Sequence, residues 1–175
     1  MLTLHQDVSN DSVLTLEDAL SSYCAPEALE GFQGARGEET SASRTLQIAE
    51  APRVLLLSLK LFRFTQRGSL AAVRDAMIRT DARWPAGEEK ISKRVHFGEF
   101  LTLSRSVCGG REGARYRLAA LVEHIGASPR SGHYVAFAQD ADAASWLRFD
   151  DTTVQACRLE SVLARPAYIL AYQRM

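Results

Sequence analysis

The chain has 175 residues, 46% of them hydrophobic and 24% charged, which suits one globular domain with a real core. Lys+Arg and Asp+Glu both number 21, so a formal net charge of zero offers no bulk attraction to nucleic acid or an anionic membrane. Three widely spaced cysteines (Cys24, Cys108, Cys157) without a CxxC pair exclude a disulfide framework and a cysteine-rich zinc site in this chain. The longest apolar run, Val54–Leu57, is far too short to span a bilayer. The opening MLTLHQDVSNDS has acids and no basic region, unlike a secretory signal. These features describe a soluble intracellular protein or a piece of one.

A short alternating run opens the chain, and Thr15-Leu16-Glu17-Asp18 then reads as a helix start, because a polar cap precedes acidic first-turn residues. Leu16, Leu20 and Tyr23 fall at helical spacing. Pro26–Leu29 reads as a turn and Gly31–Arg44, rich in Gly, Glu and Ser, as a surface loop. Thr45–Ile48 alternates, and Val54–Leu59 after Pro52 predicts a buried strand. Residues 65–89 form a polar insert, with Leu70, Val73, Met77 and Ile78 at amphipathic-helix spacing and a turn at Trp84–Gly87. Val95, Phe97, Leu101 and Leu103 resume strand-like alternation, and Arg105–Arg115 is a glycine-bearing loop. Tyr116–Glu123, Tyr134–Ala138, Trp146–Phe149 and Tyr168–Tyr172 predict strands, with a Gly126–Gly132 loop, a short strand at Thr153–Val154 and a short helix at Leu159–Leu163. Strands without βαβ alternation imply an α+β fold with a largely antiparallel sheet and few helices.

The chemistry concentrates in Ser131–Phe137 and Trp146–Asp151. A hairpin turning within Asp140–Ser145 has its centre near 142.5, so facing residue numbers sum to about 285. His133 then faces about Thr152, with Asp150 and Asp151 a residue or two away. An imidazole beside a carboxylate is the base-and-orienter half of a nucleophilic triad. It also occurs as a structural hydrogen bond at a strand end, and spacing leaves both readings open.

The segment YRLAALVEHIGASPRSGHYVAF, then WLRFDDTTV, then ARPAYILAYQR resembles the C-terminal half of the ubiquitin-specific proteases, papain-like cysteine deubiquitinases. Ordered matches run from Tyr116 and Leu118 through His124, Gly126, Gly132, His133, Tyr134, Trp146, Phe149, Asp150, Asp151 and Val154 to Ala167, Tyr168, Leu170 and Tyr172. Upstream, SVLTLEDALSSY, APRVLLLSLKLFRF and KISKRVHFGEFLTL agree more weakly, with Leu61 in place of an arginine and Gly98 in place of a proline. The resemblance implies a papain-like fold over residues 1–175, comprising fingers and palm with the thumb half absent. It implies His133 as general base, Asp150 as its orienter and Asp151 as an assisting acid. Gly132 and Tyr134 would border the ubiquitin tail, with Gly126–Gly132 and Arg105–Arg115 as flanking loops. His124, in the family's His-x-Gly position, is read as structural, and His5 and His96 as ordinary strand or surface residues. The implied partners are ubiquitin or ubiquitinated proteins and the missing N-terminal half, in the cytoplasm or nucleus.

The departures are equally specific. No Gly-x-x-Asn-x-Gly-x-Thr-Cys nucleophile segment occurs, and none of the three cysteines has such a context. Gly31–Arg44, where relatives carry a second zinc-binding CxxC pair, has no cysteine, so no metal or cofactor is expected. Two readings follow. One is the His/Asp half of a deubiquitinase, inactive alone, from a larger or split enzyme. The other is a non-catalytic ubiquitin-binding scaffold. A large exposed apolar surface would favour the first.

Overall fold

The computed structural model describes residues 1–33, 41–66, 86–91, 93–128, 131–140 and 145–175. Its centre is an eight-stranded sheet. The order is β1 (Leu2–Asp7), β4 (Val54–Lys60), β12 (Ala167–Arg174), β8 (Arg115–Ser128), β9 (Ser131–Gln139), β10 (Trp146–Asp150) and β11 (Thr153–Cys157). Strand β7 (Phe100–Thr102) pairs with the start of β8, before β9 takes over as that strand's neighbour. Two small ladders stand apart from the sheet. One joins β2 (Glu27–Leu29) to β3 (Ala42–Arg44), and the other joins β5 (Phe62–Gln66) to β6 (Ala86–Lys90).

Period-two sequence gives the sheet two unlike faces. Leu55, Leu57 and Leu59 of β4, Leu170 and Tyr172 of β12, Leu118 and Leu121 of β8, Val135 and Phe137 of β9 and Trp146 of β10 are buried in one core. Helix α1 (Leu16–Tyr23) adds Leu16, Ala19 and Leu20 to that core, and α2 (Leu159–Leu163) adds Val162. The two buried tyrosines satisfy their hydroxyls, Tyr116 donating to the Pro52 carbonyl at 2.8 Å and Tyr172 to that of Gly98 at 2.6 Å.

The alternate residues form the other face, in two rows that cross six strands in register. One row is Leu56, Ala171, Ala120, Ala138, Leu147 and Ala156. The next is Ser58, Ile169, Val122, Ala136, Phe149 and Val154. Every one of these residues is half-buried or exposed.

Some elements match the sequence reading and others differ from it. Helix α1 starts where the sequence places it, because Thr15 and Asp18 close a reciprocal capping box: Asp18 N–H donates to Thr15 Oγ1 and Thr15 N–H to the Asp18 carboxylate. The sheet is largely antiparallel, as the sequence implies, with β1 running parallel to β4. Glu27–Leu29 is a strand rather than part of a turn, paired with the end of the supposed loop at Ala42–Arg44. Thr45–Ile48 forms no strand: although Ile48 N–H reaches the Val107 carbonyl, the alternation has no partner ladder among the described residues. Of the Val95–Leu103 stretch only Phe100–Thr102 pairs as a strand. Arg115 opens β8 rather than closing a loop, and the described residues of the Gly126–Gly132 segment belong to β8 and β9, with Ser128 facing Ser131 and residues 129 and 130 outside the described residues. Ala86 and Gly87 belong to β6, whereas the amphipathic helix expected around Leu70–Ile78 lies outside the described residues.

Candidate active site

The β9–β10 hairpin pairs Trp146 with Gln139, Leu147 with Ala138 and Phe149 with Ala136, in the register its turn length predicts. Extended three residues further, that register sets His133 opposite Thr152 and so diagonally across from Asp150, on the same face of the sheet. Diagonal neighbours of this kind lie about 7–8 Å apart, within reach of long side chains. His133 Nε2 lies 2.5 Å from Asp150 Oδ1. Asp151 falls in the turn before β11, at φ 50°, a left-handed position that aspartate tolerates better than most side chains.

One feature went unread in the sequence. Arg148 donates from its guanidinium to Asp150 Oδ2, so both carboxylate oxygens are engaged. The signal was the i, i+2 spacing, which puts the two side chains on one face of a strand. Hydrogen bonding to His133 and Arg148 holds the Asp150 carboxyl below its ordinary range. The hydrogen bond to Asp150, aided by the charges of Asp150 and Asp151, raises His133 above 6.5 despite partial burial and the opposing charge of Arg148. With Nε2 committed to the carboxylate, Nδ1 is the ring atom left to accept a proton. The His133 side chain is 42% exposed, so the ring is accessible to a reacting group.

The ligand atoms of His133, Asp150 and Asp151 lie within 4.8 Å of one another, close enough to surround a cation. Arg148 already supplies positive charge to Asp150, which weighs against a metal ion there.

Behind His133 stands His124, buried at 3% exposure. Its ring is enclosed by Phe62 at 5.5 Å, Tyr134 at 4.8 Å and Tyr168 at 5.8 Å between centroids. Burial and the nearby Lys90 charge push its pKa down, and neither ring nitrogen has a hydrogen-bond partner. Tyr134 therefore packs on His124 while remaining half exposed beside the site, and Gly132 is exposed next to His133.

The cysteines lie elsewhere. Cys24 and Cys108 are buried in the core, and burial pushes the Cys24 thiol up. Cys157 faces Trp146, four residues along the ladder from the Asp150–Thr153 pair, or about 13 Å at the usual strand rise. His5 and His96 are both exposed, and the His96 backbone bonds Leu14 and Leu16 at the start of α1.

A mostly stranded, mixed sheet with few helices and a His–Asp pair at the end of a hairpin is the architecture of a papain-like cysteine protease palm. The chain belongs to the ubiquitin carboxyl-terminal hydrolase family, whose model matches residues 5–172. It is 33% identical over 179 residues to ubiquitin carboxyl-terminal hydrolase 24 of Arabidopsis thaliana, covering 99% of this chain and 29% of that protein. To ubiquitin hydrolase B of Dictyostelium discoideum it is 30% identical over 171 residues, covering 97% of this chain and 34% of that one. Among solved structures, a chain of the SAGA DUB module of Ubp8, Sgf11, Sus1 and Sgf73 bound to monoubiquitin matches with a TM-score of 0.79 at 26% identity. That match covers 100% of this chain and 35% of the other. The chain thus spans about a third of the length of these relatives.

Proposed function

We propose that this chain supplies the base and its orienting acid to a thiol-dependent deubiquitinase that hydrolyses peptide or isopeptide bonds at the ubiquitin C-terminus. The observation that carries the reading is the hydrogen bond between His133 Nε2 and Asp150, with Nδ1 left open. His133 takes the proton of a cysteine thiol at Nδ1, and the thiolate attacks the carbonyl of the ubiquitin tail. The imidazolium returns the proton to the leaving amine, and water then hydrolyses the thioester. Asp150 fixes the ring and stabilises its charged form, while Asp151 adds negative potential. Gly132 and Tyr134 border the path of the tail.

The thiol comes from a further segment rather than from Cys24, Cys108 or Cys157, which are buried or remote from His133. The alternative, a non-cutting ubiquitin binder, does not need a polarised His133.

The test is His133→Ala in the native protein purified from its own cells, assayed on ubiquitin carrying a fluorogenic C-terminal amide. Loss of turnover by several powers of ten is expected, whereas unchanged turnover overturns the assignment. A native protein that binds ubiquitin without any turnover favours the scaffold reading.

A further inference from the structure

His133 is held from the front by Asp150, but its backbone must also be held from behind. Strand β12 begins at Ala167, opposite Glu123, so β8 loses that neighbour as it runs on to Ser128. Into this overhang reaches the base of the β5–β6 ladder. The Lys90 ammonium donates to the Gly126 carbonyl at 2.6 Å and to the His124 carbonyl at 3.4 Å. Phe62, directly opposite Lys90 in its ladder, sets its ring edge-on to His124 at 5.5 Å and 72°. One rung of a separate hairpin thus grips His124–Gly126 through both backbone and ring.

That grip passes straight to the site. A Cβ at Gly126 would come within 2.8 Å of Gly132 Cα, and one at Gly132 within 2.1 Å of His124 Nε2. The segments are in such close contact that a shift of His124–Gly126 displaces Gly132, and His133 is the next residue. His133 also faces Ile125 across the ladder, between the two residues whose carbonyls Lys90 holds.

We propose that Lys90 is a positioning residue for His133, its ammonium fixing the end of the β8–β9 hairpin from which His133 reaches Asp150. This rests on the reading of His133 as the general base, but its test requires no peptidase activity. A failure here is therefore separable from a failure of the deubiquitinase reading.

The experiment follows His133 protonation in the full chain by NMR of its ring carbon–proton pair, in wild type and in Lys90→Met. The charged groups facing His133 are Asp150 and Asp151, which favour its proton, and Arg148, which opposes it. Removing the Lys90 charge alone can only ease protonation of a nearby ring. Misplacing His133 from Asp150 does the opposite. A fall of about two-fold or more in proton affinity is expected in Lys90→Met, with the wild-type value kept in Lys90→Arg. Unchanged or increased affinity in Lys90→Met overturns the proposal. Should Lys90→Met lose its fold, Lys90→Gln removes the same charge with a shorter polar side chain. The same fall is expected there, and unchanged affinity again overturns the proposal.

Discussion

The His124 ring occupies the space that a side chain at position 132 would need. A Cβ added to Gly132 would lie 2.1 Å from His124 Nε2 and 2.9 Å from the Ile125 carbonyl oxygen. The glycine before His133 is therefore required by close packing rather than by backbone conformation. It is not among the residues of positive φ.

Gly132→Ala should consequently destabilise the chain by about 1–3 kcal/mol, the range for overpacking a filled site. Combined with His124→Ala, the two losses should sum to less than their separate values, because the second change clears room for the first. Urea unfolding of the two single variants and the double variant measures this coupling. Strict additivity would contradict the contact.

Asp150→Asn should bring the His133 midpoint down toward 6.5. The first cause of its elevation is the hydrogen bond to the Asp150 carboxylate, and an amide cannot supply the same charge. The same NMR titration reads this directly. An unmoved midpoint would assign the elevation to Asp151, the other carboxylate facing the ring.

The two histidines should drive stability in opposite directions with pH. His133 is raised in the fold, so its contribution is complete below 6.5 and lost as pH climbs through the folded value. His124 is lowered by burial and by Lys90, so its contribution is present above 6.5 and lost as pH falls. Acidification from about pH 8 to 5.5 should therefore stabilise His124→Phe relative to wild type and destabilise His133→Ala relative to wild type. Urea midpoints at the two pH values check both signs. Asp150, lowered in the fold, adds stability above 3.8 that disappears only at stronger acidity.

Gln6 should be replaceable at a profit in stability. It is fully buried on β1, opposite Leu59, and neither its amide nitrogen nor its oxygen has a partner. Gln6→Leu removes two unsatisfied polar atoms from the core and should gain about 1 kcal/mol. A lower melting temperature in the variant would show that the amide has a partner in solution.

The site was largely legible because two local rules determine it. Turn length sets the register of the β9–β10 hairpin, and period two puts His133 and Asp150 on one face. Helix α1 was equally readable from Thr15 and Asp18. What escaped depends on distant partners. The pairing of Glu27–Leu29 with Ala42–Arg44 involves short, mostly exposed strands that carry no burial pattern. The alternation at Thr45–Ile48 looks like a strand yet joins no ladder among the described residues. The parallel entry of β1 beside β4 and the Lys90 contact with β8 join segments far apart in the chain. Sequence periodicity contains no information about either.

The order of strands separates the site from the sheet that supports it. β8, β9, β10 and β11 follow one another in sequence and pair with their immediate predecessors, so His133 meets Asp150 across a span of 17 residues. Closing the rest requires β12 to enter between β8 and β4, then β1 to join β4 across more than fifty residues. Contacts between near neighbours in sequence form sooner than those that close long loops. The His133–Asp150 pair thus lies in the meander closed by the shortest loops, whereas the strands that flank it are joined only by long-range closure.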